Sequence, residues 1–223
     1  MTITKKKNGL SLVYAFVVLA FLAPAAVFAQ EAALAAKLSP SDIADVKRAE
    51  AYLDQLKTVE ARFIQMSSDG GYAEGDIWIS RPGNLKIEYD PPLPVLIVTK
   101  SLSLVYYDKE LKQVTYVPLS ATPAHYLVRE KLDIFGDELT ITDFRKDSGI
   151  LQITIVKTED PLEGSITLVF GDKPLVLRQW IVQDAQDLST SVTLMGARYD
   201  GPIDDKIFEF RDPNFFSDND NSN

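Results

Sequence analysis

The sequence predicts a mainly β fold in which about eleven antiparallel strands form one curved, unclosed barrel accompanied by helices. Three observations lead there. Short segments with period-two alternation follow one another from Val59 to Tyr199; the breaks between them are rich in Pro, Gly and Asp; and only two stretches carry helical spacing instead.

The first helical stretch is "SPSDIADVKRAEAYLDQLKTV", where Ser41 can cap and Ile43, Val46, Ala49, Leu53 and Leu56 recur on one face. The period then changes to two in "VEARFIQ", which sets Val59, Ala61 and Phe63 against Glu60, Arg62 and Gln65 before the turn "SDGG". The meander continues through "YAEGDIWIS", "LKIEYD", "VLIVTK", "LSLVYYD" and "QVTYVP". The punctuation is "RPGN", "DPPLP" and "DKELK". The second non-alternating stretch, "SATPAHYLVREKLDIFG", fits a short helix opened by Thr122 and Pro123 with Tyr126, Leu127 and Leu132 on its apolar side. Strands resume as "LTITDF", "ILQITIV", "SITLVF", "PLVLRQWIV" and "STSVTLMGARY".

A sheet of this kind needs its concave face covered. The residues expected there are Phe63, Trp78, Leu85, Ile87, Leu96, Leu104, Leu168, Leu177 and Leu194, and the two helices are the available cover. Tight packing would give a solid core and loose packing an apolar cavity, and periodicity leaves these two open.

The ends of the chain read differently. Lys5 to Lys7 precede an apolar run from Leu10 to Phe28 and the small-residue pattern "VFA" before Gln30, so residues 1–29 are expected to be an export signal cleaved near Ala29. A flexible leader is expected at 30–39, a single domain at 40–213 and a disordered acidic tail at 214–223. The 223-residue chain is 46% hydrophobic, enough for a substantial core, and its formal charge of -9 argues against nucleic acid as a partner. With no cysteine there is neither a disulfide nor a site for a lipid anchor at a mature start.

Chemistry-bearing patterns are sparse. One histidine, His125, and no cysteine leave no common zinc or iron site, and no G-x-S-x-G, P-loop or dinucleotide fingerprint is present. The carboxylates fall mostly in turns, where solvation accounts for them, and His125 on a short helix reads as a packing residue. The expectation is a protein that is no enzyme and uses no cofactor or metal.

Several segments in order resemble the LolA family of periplasmic lipoprotein carriers. They are "ARFIQ" at Ala61–Gln65, "GDIWISRPGNLKIEY" at Gly75–Tyr89, "LVYYDKELKQVT" at Leu104–Thr115, "TPAHYLV" at Thr122–Val128, "ITLVFGDKPLVLRQWIVQD" at Ile166–Asp184 and "FEFRDP" at Phe208–Pro213. The resemblance implies helices acting as a lid over an apolar cavity. It implies Arg81 of the R-P motif as a lid latch bonded to backbone carbonyls, and Leu53, Phe63, Trp78, Leu85, Ile87 and Leu127 as acyl-chain cavity residues. It further implies a periplasmic monomer that takes lipoprotein acyl chains from an inner-membrane ABC transporter and delivers them to an outer-membrane acceptor. Two departures stand out: the small Ala124 after Thr-Pro, and Leu85 where the family often has an aromatic residue. Related open barrels carry other lipids or sense envelope stress. The sensors usually bear an additional domain, so the expectation for this chain is the stand-alone carrier.

Overall fold

The computed structural model describes residues 35–213, and the expected signal segment and acidic tail lie outside them. Eleven strands form one antiparallel sheet: β1 Thr58–Ser67, β2 Tyr72–Ser80, β3 Asn84–Tyr89, β4 Val95–Lys100, β5 Ser103–Asp108 and β6 Gln113–Pro118, then β7 Leu139–Asp147, β8 Ile150–Lys157, β9 Gly164–Asp172, β10 Leu175–Asp184 and β11 Ser189–Tyr199. The spatial order is β6-β5-β4-β3-β2-β1-β11-β10-β9-β8-β7. Each strand pairs with its sequence neighbour except at the centre, where β1 lies between β2 and β11, and at the edges β6 and β7, which do not pair with each other. The barrel is therefore unclosed, and the connection from β6 to β7 carries the second helix.

Helix α1, Pro40–Gln55, begins with a capping box. The Ser39 side chain accepts from the Asp42 N–H, and the Ser39 N–H donates to Asp42 Oδ2 at 2.9 Å. Ser39, rather than the expected Ser41, is the cap because Pro40 then falls at the first helical position, where its missing N–H is harmless. Helix α2, Ala124–Val128, follows Pro123 as expected, but ends before Leu132, which is buried in the segment after it. Residues 35–39 are anchored instead of loose. The Ala36 N–H donates to Ile141 O on the β7 edge at 2.8 Å, and Ala36 and Leu38 pack partly against the core.

Alternation assigns the faces. Val59, Ala61 and Phe63 of β1 stand opposite Ile79, Ile77 and Gly75 of β2, which stand opposite Leu85, Ile87 and Tyr89 of β3, and all point into the concave core. From the other half, Ile153, Ile155, Ile166, Leu168, Phe170, Trp180, Val192 and Leu194 complete the same cluster, and Val46, Ala49 and Leu53 of α1 with Leu127 and Val128 of α2 fill it. Gly75 permits the close approach of two rings. A Cβ there would come within 2.9 Å of Phe63 Cε1 and of Tyr89 Cα, and the Phe63 and Tyr89 rings meet edge to face at 5.2 Å.

Trp78 and Leu96 are on the convex face, contrary to the expectation. Trp78 lies between Ile77 and Ile79 and is half-buried on the outside, with Lys86 Nζ 5.2 Å from the centre of its ring. Every residue of "IWI" is apolar, so alternation alone does not say which set faces inward, and a shift of one residue exchanges them. Pairing decides it, and Trp180, 3% exposed, is the tryptophan of the interior.

Candidate functional site

The same alternation that turns Trp78 outward places Arg81 in line with Ile77 and Ile79, on the concave side at the end of β2. Its guanidinium is buried and reaches two separate pieces of the cover. Nη1 donates to Leu53 O and, at 3.4 Å, to Leu56 O at the end of α1. Nε donates to Arg129 O at 2.8 Å, and Nη2 donates to Arg129 O and, at 3.3 Å, to Glu130 O just beyond α2. A planar fork of five N–H groups suits such divergent acceptors. All are neutral carbonyls, and among the described residues no carboxylate is in contact. Burial accordingly lowers the Arg81 pKa, opposed only by the more distant Asp54 charge.

The two cover pieces are also joined to each other. Along α1, Glu50 accepts from the Ile134 N–H at 2.7 Å and Asp54 from the Leu132 N–H at 3.2 Å. Gly83 of the β2–β3 turn donates to Val128 O at 2.7 Å. The first half of α1 is held by a different device. Arg48 contacts Asp172 at the end of β9 and Asp45 at 2.9 Å, and Lys146 of β7 reaches Asp45 at 2.7 Å and Asp172 at 3.7 Å. The hydrogen bond from Arg48, more than the charges of Arg48, Lys146 and Lys173, holds the Asp172 carboxyl below the usual range.

A pH dependence follows from this depression. A carboxyl bound more tightly when ionised adds stability above its unfolded pKa, about 3.9, and loses it as pH falls through the lower folded value. Unfolding midpoints measured from pH 6 down to pH 2 are expected to fall below about pH 4, and Asp172→Asn is expected to flatten part of that decline. An unaltered profile in the variant would show that the network contributes nothing measurable.

Of the expected cavity residues, Leu53, Phe63, Leu85, Ile87 and Leu127 come together in one continuous apolar cluster, each at most 9% exposed, whereas Trp78 does not join them. The cover lies directly on this cluster. Of two hollows, neither is enclosed within it, and one touches it at Tyr89. One of about 230 Å³ is bordered by Thr58, Glu60, Arg198 and Ile203, and one of about 410 Å³ by Asp76, Glu88, Tyr89, Asp90 and the loop Pro91–Pro94. His125 is half-buried on α2 beside Tyr126, and burial lowers its pKa. Among the described residues there is no cluster able to hold a metal ion, and no helix long and apolar enough to cross a membrane. Sequence reading passed over Glu50 and Asp54, although their four-residue spacing puts both on one helix face.

The model of the outer membrane lipoprotein carrier protein LolA matches residues 54–211. The chain belongs to the LolA family. An outer-membrane lipoprotein carrier protein of Azotobacter vinelandii is 28% identical over 192 residues, covering 81% of this chain and 91% of the relative. One of Chromohalobacter salexigens is 27% identical over 175 residues, covering 75% and 82%. The solved structure of a LolA superfamily protein from Nitrosomonas europaea superposes with a TM-score of 0.41 at 11% identity, over 74% of this chain and 97% of that one. The LolA match begins at Asp54, at the end of α1, so it takes in the Arg81 seam and leaves most of α1 outside.

Proposed function

We propose that this LolA-family protein is a periplasmic carrier that accepts the acyl chains of lipoproteins into the space now filled by its helices. The observation that carries the reading is Arg81, a buried cation that bonds to lid carbonyls and, among the described residues, pairs with no carboxylate. Such a contact is expensive to desolvate and is easily exchanged, so the closed lid is favoured without being fixed. Burying acyl chains releases about 0.8 kcal/mol per CH₂, ample to displace helices that leave apolar surface behind. In this reading Leu53 and Leu127 move with the lid, while Phe63, Leu85 and Ile87 form the wall against which the chains lie. An inner-membrane ABC transporter loads the carrier and an outer-membrane acceptor empties it. The protein performs no covalent chemistry.

Native mass spectrometry of the protein recovered from a bacterial periplasm tests this. The expected species is the carrier with one acylated protein bound. Bound free lipid in its place would assign a different cargo, and an empty protein that also excludes apolar dyes would overturn the carrier reading.

A further inference from the structure

The concave wall is apolar except at a few places, and these differ in how their hydrogen bonds are used. Arg81 is engaged with lid carbonyls, and the Thr99 hydroxyl is engaged with Leu85 of the neighbouring strand. At the far end of β1 from Arg81, Tyr89 is 7% exposed, and its hydroxyl donates to Gln65 Oε1 at 2.8 Å. This contact fixes the Gln65 amide. Its Nε2 group, with two N–H donors, makes no hydrogen bond among the described residues, although Gln65 stands between the Ala73 and Val192 positions on the inner face. Donors left over beside an apolar wall match a neutral oxygen acceptor.

This end of the interior also differs from the lid end in exposure. Val59, Ile79 and Leu85 beside the lid are at most 2% exposed, whereas Ala73, Leu93 and Val182 near Gln65 are only partly buried. A hollow of about 410 Å³ reaches Tyr89 from the rim, bordered by Asp76, Glu88 and the loop Pro91–Pro94 and not by Gln65 itself. Its carboxylates already hold their cations: Asp76 and Asp90 hold Arg62, and Glu88 holds Lys86 and Lys109. An anionic head group finds no uncommitted cation among these residues, but a carbonyl needs only the Gln65 N–H groups.

We propose that Gln65, oriented by Tyr89, is a polar anchor that donates to an ester or amide carbonyl of the bound acyl group, at the end of the interior away from the lid. The proposal rests on the acyl-carrier reading and adds to it a direction. The linkage between acyl chain and cargo sits at the Gln65 end, and the tails run toward Arg81. It also adds a selectivity, for acylated peptides over hydrocarbon chains that lack carbonyls.

The test compares two synthetic peptides that compete with an apolar fluorescent dye, one bearing ester-linked C16 chains on a glyceryl cysteine and the other the ether-linked equivalent. One buried neutral hydrogen bond predicts that wild type binds the ester peptide about three- to tenfold more tightly. In Gln65→Leu the ratio of the two affinities is expected to fall to about one, and in Tyr89→Phe to an intermediate value, since the amide remains but loses its orientation. The ratio is insensitive to a general loss of uptake, and circular dichroism checks that each variant is folded. A wild-type ratio of one, or an unchanged ratio in Gln65→Leu, overturns the anchor and leaves the carrier reading standing. Failure of both peptides to displace the dye from wild type overturns both.

Discussion

Replacing Arg81 by leucine is expected to loosen the seam between α1 and the segment after α2, and to tighten acyl binding while the sheet stays folded. The side chain links Leu53 and Leu56 carbonyls to those of Arg129 and Glu130, and its removal leaves these acceptors without their donor. Hydrogen bonds to a charged group contribute about 1.5–3 kcal/mol, part of which is offset here by the desolvation of a guanidinium with no anion beside it. A net preference of about 2 kcal/mol for the closed lid is the expected balance. A ligand that needs the open lid has its apparent affinity reduced by the fraction open, so losing that preference is expected to strengthen binding of an acylated peptide roughly 15-fold. Arg81→Lys retains the charge but not the fork, and is expected to lie between the two.

Titration with the acylated peptide measures the affinity, and hydrogen exchange locates the change. Protection is expected to fall in residues 129–134 and in the last turn of α1, and to persist around Arg48, which the Asp45, Asp172 and Lys146 network holds separately. Unchanged affinity and unchanged exchange would assign the seam to Glu50 and Asp54 alone and remove Arg81 from the latch role.

The second large effect concerns two aromatic residues with opposite surroundings. Phe63→Ala is expected to lower unfolding stability by about 3–5 kcal/mol, as for other buried aromatic truncations. Phe63 is 1% exposed, stands between Gly75 and Leu194, and lies edge on to Tyr89. No neighbour can readily fill the space, because the adjacent strand presents a glycine. Trp78→Ala is expected to cost only about 1 kcal/mol, since that ring is half-buried on the convex face and is engaged mainly by the Lys86 ammonium. Urea unfolding with unchanged m values measures both. A larger loss at Trp78 than at Phe63 would contradict the assignment of faces.

This contrast also marks where the sequence was and was not legible. The eleven strands, their breaks and both helices could be placed from alternation and turn residues, because those signals are local and repeat along the chain. Alternation also identified Phe63, with Glu60 and Arg62 as its polar neighbours, as facing inward. It failed at Trp78 and Leu96, where apolar residues occupy both faces and only the hydrogen-bonded register separates them, and at Gln65, expected opposite Phe63 but two residues on from it and on the same face. The helix cap moved from Ser41 to Ser39 because two serines flank one proline, and the reciprocal bond to Asp42 selects between them.

What concerns function divides along the same line. The composition, the meander and the R-P motif are properties of the linear chain, and they sufficed for an unclosed barrel of LolA type with an arginine worth testing. Which carbonyls that arginine holds, that Glu50 and Asp54 bind the segment beyond α2, and that Gln65 meets Tyr89 all depend on residues 24 to 84 positions apart in sequence. Contacts at such separations leave no periodic trace, because each is a single meeting produced when a twisted sheet curls around its helices, and only the folded arrangement fixes the partners.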